Sequence, residues 1–320
     1  MALSLAVTAA IIFVLSLFFL AASALFLARS LLQIAKVIGI SSFVIGVTVL
    51  SIATATPEFL NVLISGLRGV GEIGIGDVVG ASIFDLCLTL GIVSLIAKPQ
   101  KLTAVENHVF TYSLFTVGVF AFLAFDGALT RLDGGVMFAL FIFYQYLTYK
   151  KGIKFPHKHI PFKKIETAYI IAPLSVFSLI VSSWLLVTSG ASLATSVGIP
   201  ASIIGLILVA LGTSAPEFAS GVAAALKKGE GLAFGTTLGA IVLHFFFATG
   251  LAALINPFTF DFVPFRIPLI ILFATIATFT AYVNIRKQSD KYLGLILIAI
   301  YILFLALNLS GIVETEVHVP

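Results

Sequence analysis

The chain has 320 residues, of which 60% are hydrophobic and 10% charged, and its mean hydropathy is +1.17. This composition excludes a soluble globular protein, because apolar stretches of about 20 residues, long enough to cross a bilayer as helices, recur along the whole length. The formal net charge of +4 does not indicate nucleic-acid binding, since the basic residues lie in short loops between apolar segments.

Ten apolar segments are predicted to cross the membrane. Strand-like alternation is absent, so helices rather than a barrel must satisfy the backbone hydrogen bonds. The first segment has no basic residue before it and is long for a signal peptide, so we interpret it as a permanent span. The ten segments lie near residues 4–27, 39–66, 74–97, 107–125, 132–149, 167–188, 198–225, 231–256, 265–285 and 291–311.

The second and seventh segments contain closely similar six-residue motifs. Residues 54–59 read Thr-Ala-Thr-Pro-Glu-Phe, and residues 213–218 read Thr-Ser-Ala-Pro-Glu-Phe. Each proline is expected to break its helix, which exposes carbonyl groups and helix ends at membrane depth. A carboxylate costs several kcal/mol in hydrocarbon unless a cationic or polar group meets it, so Glu58 and Glu217 predict a functional site.

The third and eighth segments carry a glycine-spaced motif. Residues 76–85 read Gly-Asp-Val-Val-Gly-Ala-Ser-Ile-Phe-Asp, and residues 235–244 read Gly-Thr-Thr-Leu-Gly-Ala-Ile-Val-Leu-His. Glycines four residues apart lie on one helix face and allow close backbone approach. Asp85 and His244 occupy matching positions, and we place both at the midplane with the two glutamates.

Two other polar residues near these motifs receive structural interpretations. Asp77 lies near a predicted helix end, so a capping or solvent-facing role is favoured over ion binding. Cys87 is the single cysteine of the chain, permits no internal disulfide, and is interpreted as a buried apolar filler.

The two halves of the chain repeat at an offset of 159 residues. Five spans are an odd number, so the second copy must enter the membrane from the opposite side, and inverted repeats let one central site face either side in turn. We therefore predict a first five-helix repeat over 1–149 (motif about 39–97), a basic loop over 150–166, and a second repeat over 167–320 (motif about 198–256). Identical pairs at this offset include Thr54 and Thr213, Glu58 and Glu217, Gly76 and Gly235, Gly80 and Gly239, and Gly91 and Gly250.

Basic residues predict the orientation. If the 150–166 loop is cytoplasmic, 15 of the 18 lysines and arginines fall on the inner side, in accord with the positive-inside rule. The protein is then a multi-pass protein of the plasma membrane with both termini outside.

These motifs resemble the α-repeats of the cation/calcium exchanger superfamily, particularly the microbial sodium/calcium exchangers. The resemblance covers both halves, and residues 212–217 read Gly-Thr-Ser-Ala-Pro-Glu, a motif specific to that family in this context. It implies that two glutamates bind Ca²⁺ and take part in Na⁺ binding, so that the two ions compete. The implied cation ligands are Glu58 and Glu217 at the centre, with Thr54, Thr213 and Ser214 around them. Asp85 and His244 are added as candidate ligands because of their matching positions in the two halves.

The chain departs from the family pattern at five positions. The family usually has serine at Ala55, Ala81 and Ala240, often asparagine at Asp85, and aspartate or asparagine at His244. The lost hydroxyls weaken the case for Na⁺ as the coupling ion. A histidine titrates near neutral pH, and its imidazole suits metals such as Mn²⁺ or Zn²⁺. A purely structural His244 also stays open.

The sequence predicts a secondary active cation antiporter that exchanges Ca²⁺ for Na⁺ or H⁺ by alternating access, with the first and sixth spans sliding across a fixed core. The alternatives are a proton-coupled or Mn²⁺/Zn²⁺ exchanger, a non-transporting ion-binding homologue, and an intramembrane aspartyl protease. Residues 74–77 (Gly-Ile-Gly-Asp) suggest the protease, but its Tyr-Asp partner motif is missing, so no enzyme is expected. The expected partners are the lipid bilayer and inorganic cations, without a cofactor, nucleic acid or obligate protein partner.

Overall fold

The computed structural model describes residues 2–37, 55–96, 104–150, 165–226, 237, 239–286 and 288–316. Helices make up most of these residues. In the first half they are α1 (Ala2–Val37), α2 (Thr56–Leu67), α3 (Gly71–Ile83), a π-helical segment (Phe84–Thr89), α4 (Leu90–Ile96), α5 (Ala104–Leu123) and α6 (Arg131–Lys150).

The second half is also helical. Its elements are α7 (Ile165–Val197), α8 (Ala201–Ile203), a π-helical segment (Ile204–Val209), α9 (Ala210–Thr213), α10 (Ala215–Leu226), a third π-helical segment (Leu243–Thr249), α11 (Gly250–Ile255), a short 3₁₀ helix (Val263–Phe265), α12 (Arg266–Arg286) and α13 (Lys291–Glu316). Residues 239–242 are helical and lead directly into the third π-helical segment.

Five helices of the described residues are long and apolar enough to cross a membrane. They cover residues 6–31, 71–96, 167–197, 263–286 and 291–310, and shorter apolar helices cover 111–123, 201–213 and 239–255. Large apolar side chains also line the outer surface: Phe122 is 81% exposed and Phe18 67%. Exposed apolar surface on this scale suits contact with lipid. The predicted segments are helical over most of their described residues, with exceptions that include residues 198–200 and Ser214, whereas 38–54 and 227–236 lie outside the described part.

Two helices are longer than predicted. The first helix runs to Val37 and the sixth predicted segment to Val197, about ten residues past their expected ends at 27 and 188. The long α7 ends just before Gly198, whose φ of +73° is the left-handed conformation that commonly terminates helices.

A small antiparallel β pair corrects the expectation of a purely helical chain. Ala128 pairs with Thr259 and Leu129 with Phe258, which joins the loop before α6 to the loop before α12. Strands of two residues are too short to leave an alternating hydrophobic pattern, so the sequence could not predict them.

The buried apolar residues form two clusters. A smaller cluster is formed mainly by α1 and α7, including Phe13, Leu20 and Leu179, and extends to Ile73 of α3 and Ile204 of the second π-helical segment. The larger cluster joins most of the remaining helices. The α1–α7 pair therefore packs against the rest of the protein through apolar residues.

Glycines set how closely α3 approaches the seventh predicted segment. A Cβ added at Gly76 would lie 2.8 Å from the Cα of Gly205, and one at Gly80 would overlap the carbonyl oxygen of Leu206. The predicted close backbone approach is therefore confirmed for the first glycine motif. In the second motif Gly235 lies outside the described residues, and a Cβ at Gly239 would meet only the Tyr144 hydroxyl, at 4.0 Å.

Candidate cation site

A helix break places one glutamate of the site. The segment that begins at Ala201 ends at Thr213, α10 begins at Ala215, and Ser214 between them has φ −81° and ψ −2°. The predicted break at the second motif is thereby confirmed, because the proline at position 216 cannot supply the N–H that would continue the helix. Glu217 consequently lies in the first turn of α10, where the free N–H groups favour negative charge.

Glu58 stands in the equivalent place on α2, which begins at Thr56 with Pro57 in its first turn. The N–H of Phe59 donates to the carbonyl of Ala55 at 3.1 Å, as the N–H of Phe218 does to that of Ser214 at 2.9 Å. Thr54 and the residues before it lie outside the described part, so whether a helix precedes the break here stays a prediction.

The Glu58 side chain is fully buried, and neither of its oxygens accepts a hydrogen bond from any residue that the structure describes. The Nε2 atom of His244 lies 3.9 Å from its Oε1 atom, which is too far for a hydrogen bond. Buried polar atoms are nearly always hydrogen-bonded, so a carboxylate in this state indicates a place that a ligand or proton completes.

His244 belongs to the third π-helical segment and is 2% exposed. Its Nδ1 atom lies 3.1 Å from the hydroxyl of Ser82 on α3, a residue that the sequence analysis did not single out. A π turn carries an extra residue, redirects the side chains that follow and is frequent at functional sites. His244 and Glu58, which the sequence analysis placed together at the midplane, thus lie 3.9 Å apart, and their role as cation ligands stays a prediction.

Asp85 belongs to the first π-helical segment, at the position that corresponds to His244. It is 1% exposed, and neither carboxylate oxygen has a hydrogen-bond partner among the described residues. The π-helical segment that carries Asp85 packs against α10, which carries Glu217. Asp85 and Glu217 therefore belong to neighbouring elements of the fold.

Asp77 is at the centre of the cluster, and our interpretation of it as a capping or solvent-facing residue is wrong. It is fully buried; its Oδ2 accepts from Asn61 Nδ2 at 2.7 Å and its Oδ1 from the Thr213 hydroxyl at 2.8 Å. The helix begins at Gly71, so Asp77 is well inside it rather than at an end. A polar residue beside Gly76, whose face packs against another segment, is the signal that could have identified it.

Three of the remaining predicted ligands lie in the described part of the chain, and one does not. Ser214 is fully buried, and its hydroxyl has no hydrogen-bond partner among the described residues. Thr213 is 2% exposed and contacts Asp77. Glu217 is partly buried, and Thr54 lies outside the described residues. Asn61 was missed because an asparagine one turn after a glutamate carries no distinctive pattern.

The cluster contains many carboxylate and hydroxyl oxygens but no lysine or arginine partner among the described residues. Within the described ranges, no lysine or arginine pairs with Glu58, Asp77 or Asp85. Carboxylate and hydroxyl oxygens suit hard cations such as Ca²⁺ and Na⁺. As the side chains stand, no three His, Cys, Asp or Glu residues of the described part lie close enough to hold one metal ion.

The fold and the cluster together define a helical protein with carboxylates buried among apolar spans, as transporters of small ions have. The sequence model of the family "Sodium/calcium exchanger protein" matches residues 8–150 and 167–310. The chain belongs to this family, which confirms the resemblance drawn from the motifs. Membership supports cation antiport in general and an integral membrane protein.

Known relatives agree with this assignment. The chain is 27% identical over 271 residues to Uncharacterized membrane protein MJ0091 of Methanocaldococcus jannaschii, covering 83% of this chain and 87% of the relative. It is 24% identical over 319 residues to Sodium/calcium exchanger MaX1 of Methanosarcina acetivorans, covering 83% and 89%. A solved structure of the sodium-calcium exchanger NCX_Mj matches with a TM-score of 0.65 at 24% identity, over 94% of this chain and 99% of that one. This last likeness shows the fold.

Proposed function

We propose that the protein is a secondary active antiporter that exchanges Ca²⁺ for Na⁺ or H⁺ at the buried carboxylate cluster. The observation that carries this proposal is Glu58, a fully buried carboxylate with both oxygens unpartnered among the described residues, with Asp85 in the same state. Burying such groups without partners is costly, and a bound cation offsets the cost. A transporter needs a site of this kind because the empty form must remain ready to take the next ion.

The proposed ligands are the seven residues that the sequence predicted, with Glu58 and Glu217 at the centre. The Thr213 hydroxyl donates its proton in a hydrogen bond to Asp77, so the lone pairs of its oxygen remain available to a cation. The Ser214 hydroxyl has no described partner and offers another oxygen. Asp85, His244 and Thr54 complete the set.

Alternating access is proposed to arise from two inverted five-helix repeats, over 1–149 and 167–320, in ten spans. The matching placement of α2 (Thr56–Leu67) and α10 (Ala215–Leu226), both offset by 159 residues, supports the repeat. The π-helical segments that begin at Phe84 and Leu243 have the same offset. The apolar cluster of α1 and α7 meets the rest of the protein through apolar residues such as Ile73 and Ile204, a contact that supports sliding of that pair.

The orientation is part of the same proposal. We propose that the 150–166 loop is cytoplasmic and that both termini lie outside, because 15 of the 18 lysines and arginines then lie inside. The plasma membrane is the proposed location.

Proton coupling is a second candidate, favoured by a specific observation. His244 lies 3.9 Å from Glu58, whereas Ala55, Ala81 and Ala240 supply no hydroxyl groups for Na⁺. If the imidazole titrates in the cycle, His244→Asn shifts the pH dependence of flux. An unshifted profile leaves Na⁺ coupling as the better account.

Flux measurements test the proposal. Purified protein is reconstituted in liposomes, and uptake of radioactive calcium is measured under an imposed Na⁺ gradient and, separately, an imposed H⁺ gradient. Uptake that depends on either gradient supports antiport and identifies the coupling ion. Calcium binding without gradient-dependent uptake of any divalent cation would instead favour a non-transporting homologue.

A further inference from the structure

The hydrogen bonds of Ser82 determine which ring nitrogen of His244 carries the proton. Its Oγ lies 2.8 Å from the carbonyl oxygen of Val78 and 3.1 Å from His244 Nδ1. A serine hydroxyl has one proton to donate, and a carbonyl can only accept. The Ser82 proton therefore goes to Val78 at the shorter distance, so Oγ accepts a hydrogen bond from Nδ1–H. The Nε2 atom of the neutral ring then carries a lone pair.

That lone pair faces Glu58. Its Oε1 lies 3.9 Å from Nε2, which is too far for a hydrogen bond, so neither atom satisfies the other. Two ligands of one tetrahedral zinc ion, with bonds of about 2.1 Å, lie about 3.4 Å apart. A shift of about 0.5 Å would bring the two atoms to the separation that a shared metal ion requires.

We propose that Ser82 holds His244 in the Nδ1–H tautomer, so that Nε2 is a nitrogen ligand and the site binds transition-metal dications such as Mn²⁺, Zn²⁺ or Cd²⁺ more tightly than Ca²⁺. This inference rests on the proposed function and names its substrate class. Imidazole suits transition metals, whereas Ca²⁺ takes oxygen ligands. Metal-binding histidines almost always donate their second N–H to a fixed acceptor, and Ser82 is placed as that acceptor.

Competition binding tests the selectivity. Full-length protein in detergent binds radioactive calcium, which is displaced by Cd²⁺, Mn²⁺ or unlabelled Ca²⁺. We expect Cd²⁺ to displace the label at a concentration at least tenfold lower than Ca²⁺ does. His244→Asn should lower the Cd²⁺ affinity by tenfold or more and change the Ca²⁺ affinity much less, because asparagine still supplies an oxygen.

The outcomes separate the two proposals. Loss of Ca²⁺ and Cd²⁺ affinity in equal measure, or no loss of Cd²⁺ affinity in His244→Asn, overturns the nitrogen-ligand proposal and leaves the antiporter intact. A wild-type protein that binds none of these cations overturns both.

The positioning role of Ser82 is tested by measuring the tautomer of His244. Nitrogen NMR of histidine-labelled protein reports the tautomer, and the His244 signals are those missing from His244→Asn. Wild type and Ser82→Thr should show Nδ1–H, whereas Ser82→Ala should show a mixture and about tenfold weaker Cd²⁺ binding. Ser94→Ala is the matched control, since Ser94 is also a buried serine and lies outside the cluster. An Nε2–H tautomer in wild type, or a Ser82→Ala variant unchanged in tautomer and selectivity, overturns the assignment.

Discussion

Thr213 donates a hydrogen bond of 2.8 Å to Asp77, and this contact joins the glutamate motif of one half to the glycine motif of the other. The second oxygen of Asp77 accepts from Asn61, one turn after Glu58, at 2.7 Å. Asp77 thus connects α3 to the segments that carry both motif glutamates. Because all three partners are buried, the contact holds these segments in a defined relation around the cluster.

Asp77→Ala should destabilise the protein by about 2–3 kcal/mol, because it leaves the buried Asn61 amide without its acceptor. The Thr213 hydroxyl loses its shortest bond but keeps longer ones to the Ala210 and Val209 carbonyls, at 3.2 and 3.4 Å. Asp77→Asn should cost only about 1 kcal/mol, since Asn61 can turn its unpartnered Oδ1 toward the new amide. Thermal unfolding in detergent measures both variants. Equal losses of stability in the two variants would contradict the hydrogen-bond account. Flux through Asp77→Asn separately shows the effect of removing the charge.

Glu58→Gln should lower Ca²⁺ affinity at least 100-fold while raising the thermal stability of the cation-free protein. The variant removes a charge from the proposed ligand set and also removes an unpartnered buried carboxylate. Calcium binding and unfolding are measured on the same sample. Glu72→Gln is the control, because Glu72 accepts the backbone N–H of Asp261 near the surface and lies outside the cluster. Retained calcium transport in Glu58→Gln would refute the assignment.

Gly80→Ala should destabilise the protein by about 1–3 kcal/mol, because its Cβ would overlap the Leu206 carbonyl and lie 2.8 Å from the Ala210 Cβ. Gly118→Ala provides the matched comparison, since a Cβ there meets no described atom within 4 Å. Within a helix this second change should stabilise by about 0.5–1 kcal/mol. If thermal unfolding showed a stability change of the same sign in both variants, the close packing of α3 would be contradicted.

Asp290 provides a pH-dependent prediction outside the spans. Burial raises the pKa of its carboxyl, but hydrogen bonds from the Tyr282 hydroxyl and the N–H groups of Leu293 and Tyr292 outweigh burial and lower the pKa below its usual range. A lowered folded-state pKa adds stability above the unfolded-state pKa, and this stability is lost as the pH falls through the folded value.

Asp290→Ala should therefore cost about 1 kcal/mol at pH 7, the usual value for a lost helix cap, and the difference from wild type should shrink below about pH 4. Asp290→Asn is the control. It keeps the oxygen that accepts all three bonds but cannot titrate, so it should remain near wild type at pH 7. A cost for Asp290→Ala that is constant down to pH 3 would contradict the prediction.

Local features of the chain were predictable because their causes are local. The absence of a backbone N–H at position 216 breaks the helix at Ser214, whatever packs around it. The apolar segments and the glycine face of Gly76 and Gly80 were likewise visible, since hydropathy and side-chain size act over one or two turns.

The partners of individual polar groups were not predictable in the same way. Thr213 and Asp77 are 136 residues apart, and Ser82 and His244 are 162 apart. A pattern over one helix indicates which face is buried but not which side chain of a distant segment meets it. Asp77 was misread for this reason, because a position beside the loop suggested a capping residue.

The sequence by itself determined that the chain is a membrane-embedded helical protein, because insertion of a helix into lipid depends on composition and length. It also determined the break before Glu217, because that break follows from Pro216. Tertiary structure alone decided that Asp77 and Asn61 join the glutamates and that Ser82 contacts His244. Close packing at Gly76 and Gly80 sets the distance between helices, and within a buried interior each polar group bonds only to what that packing brings within about 3 Å.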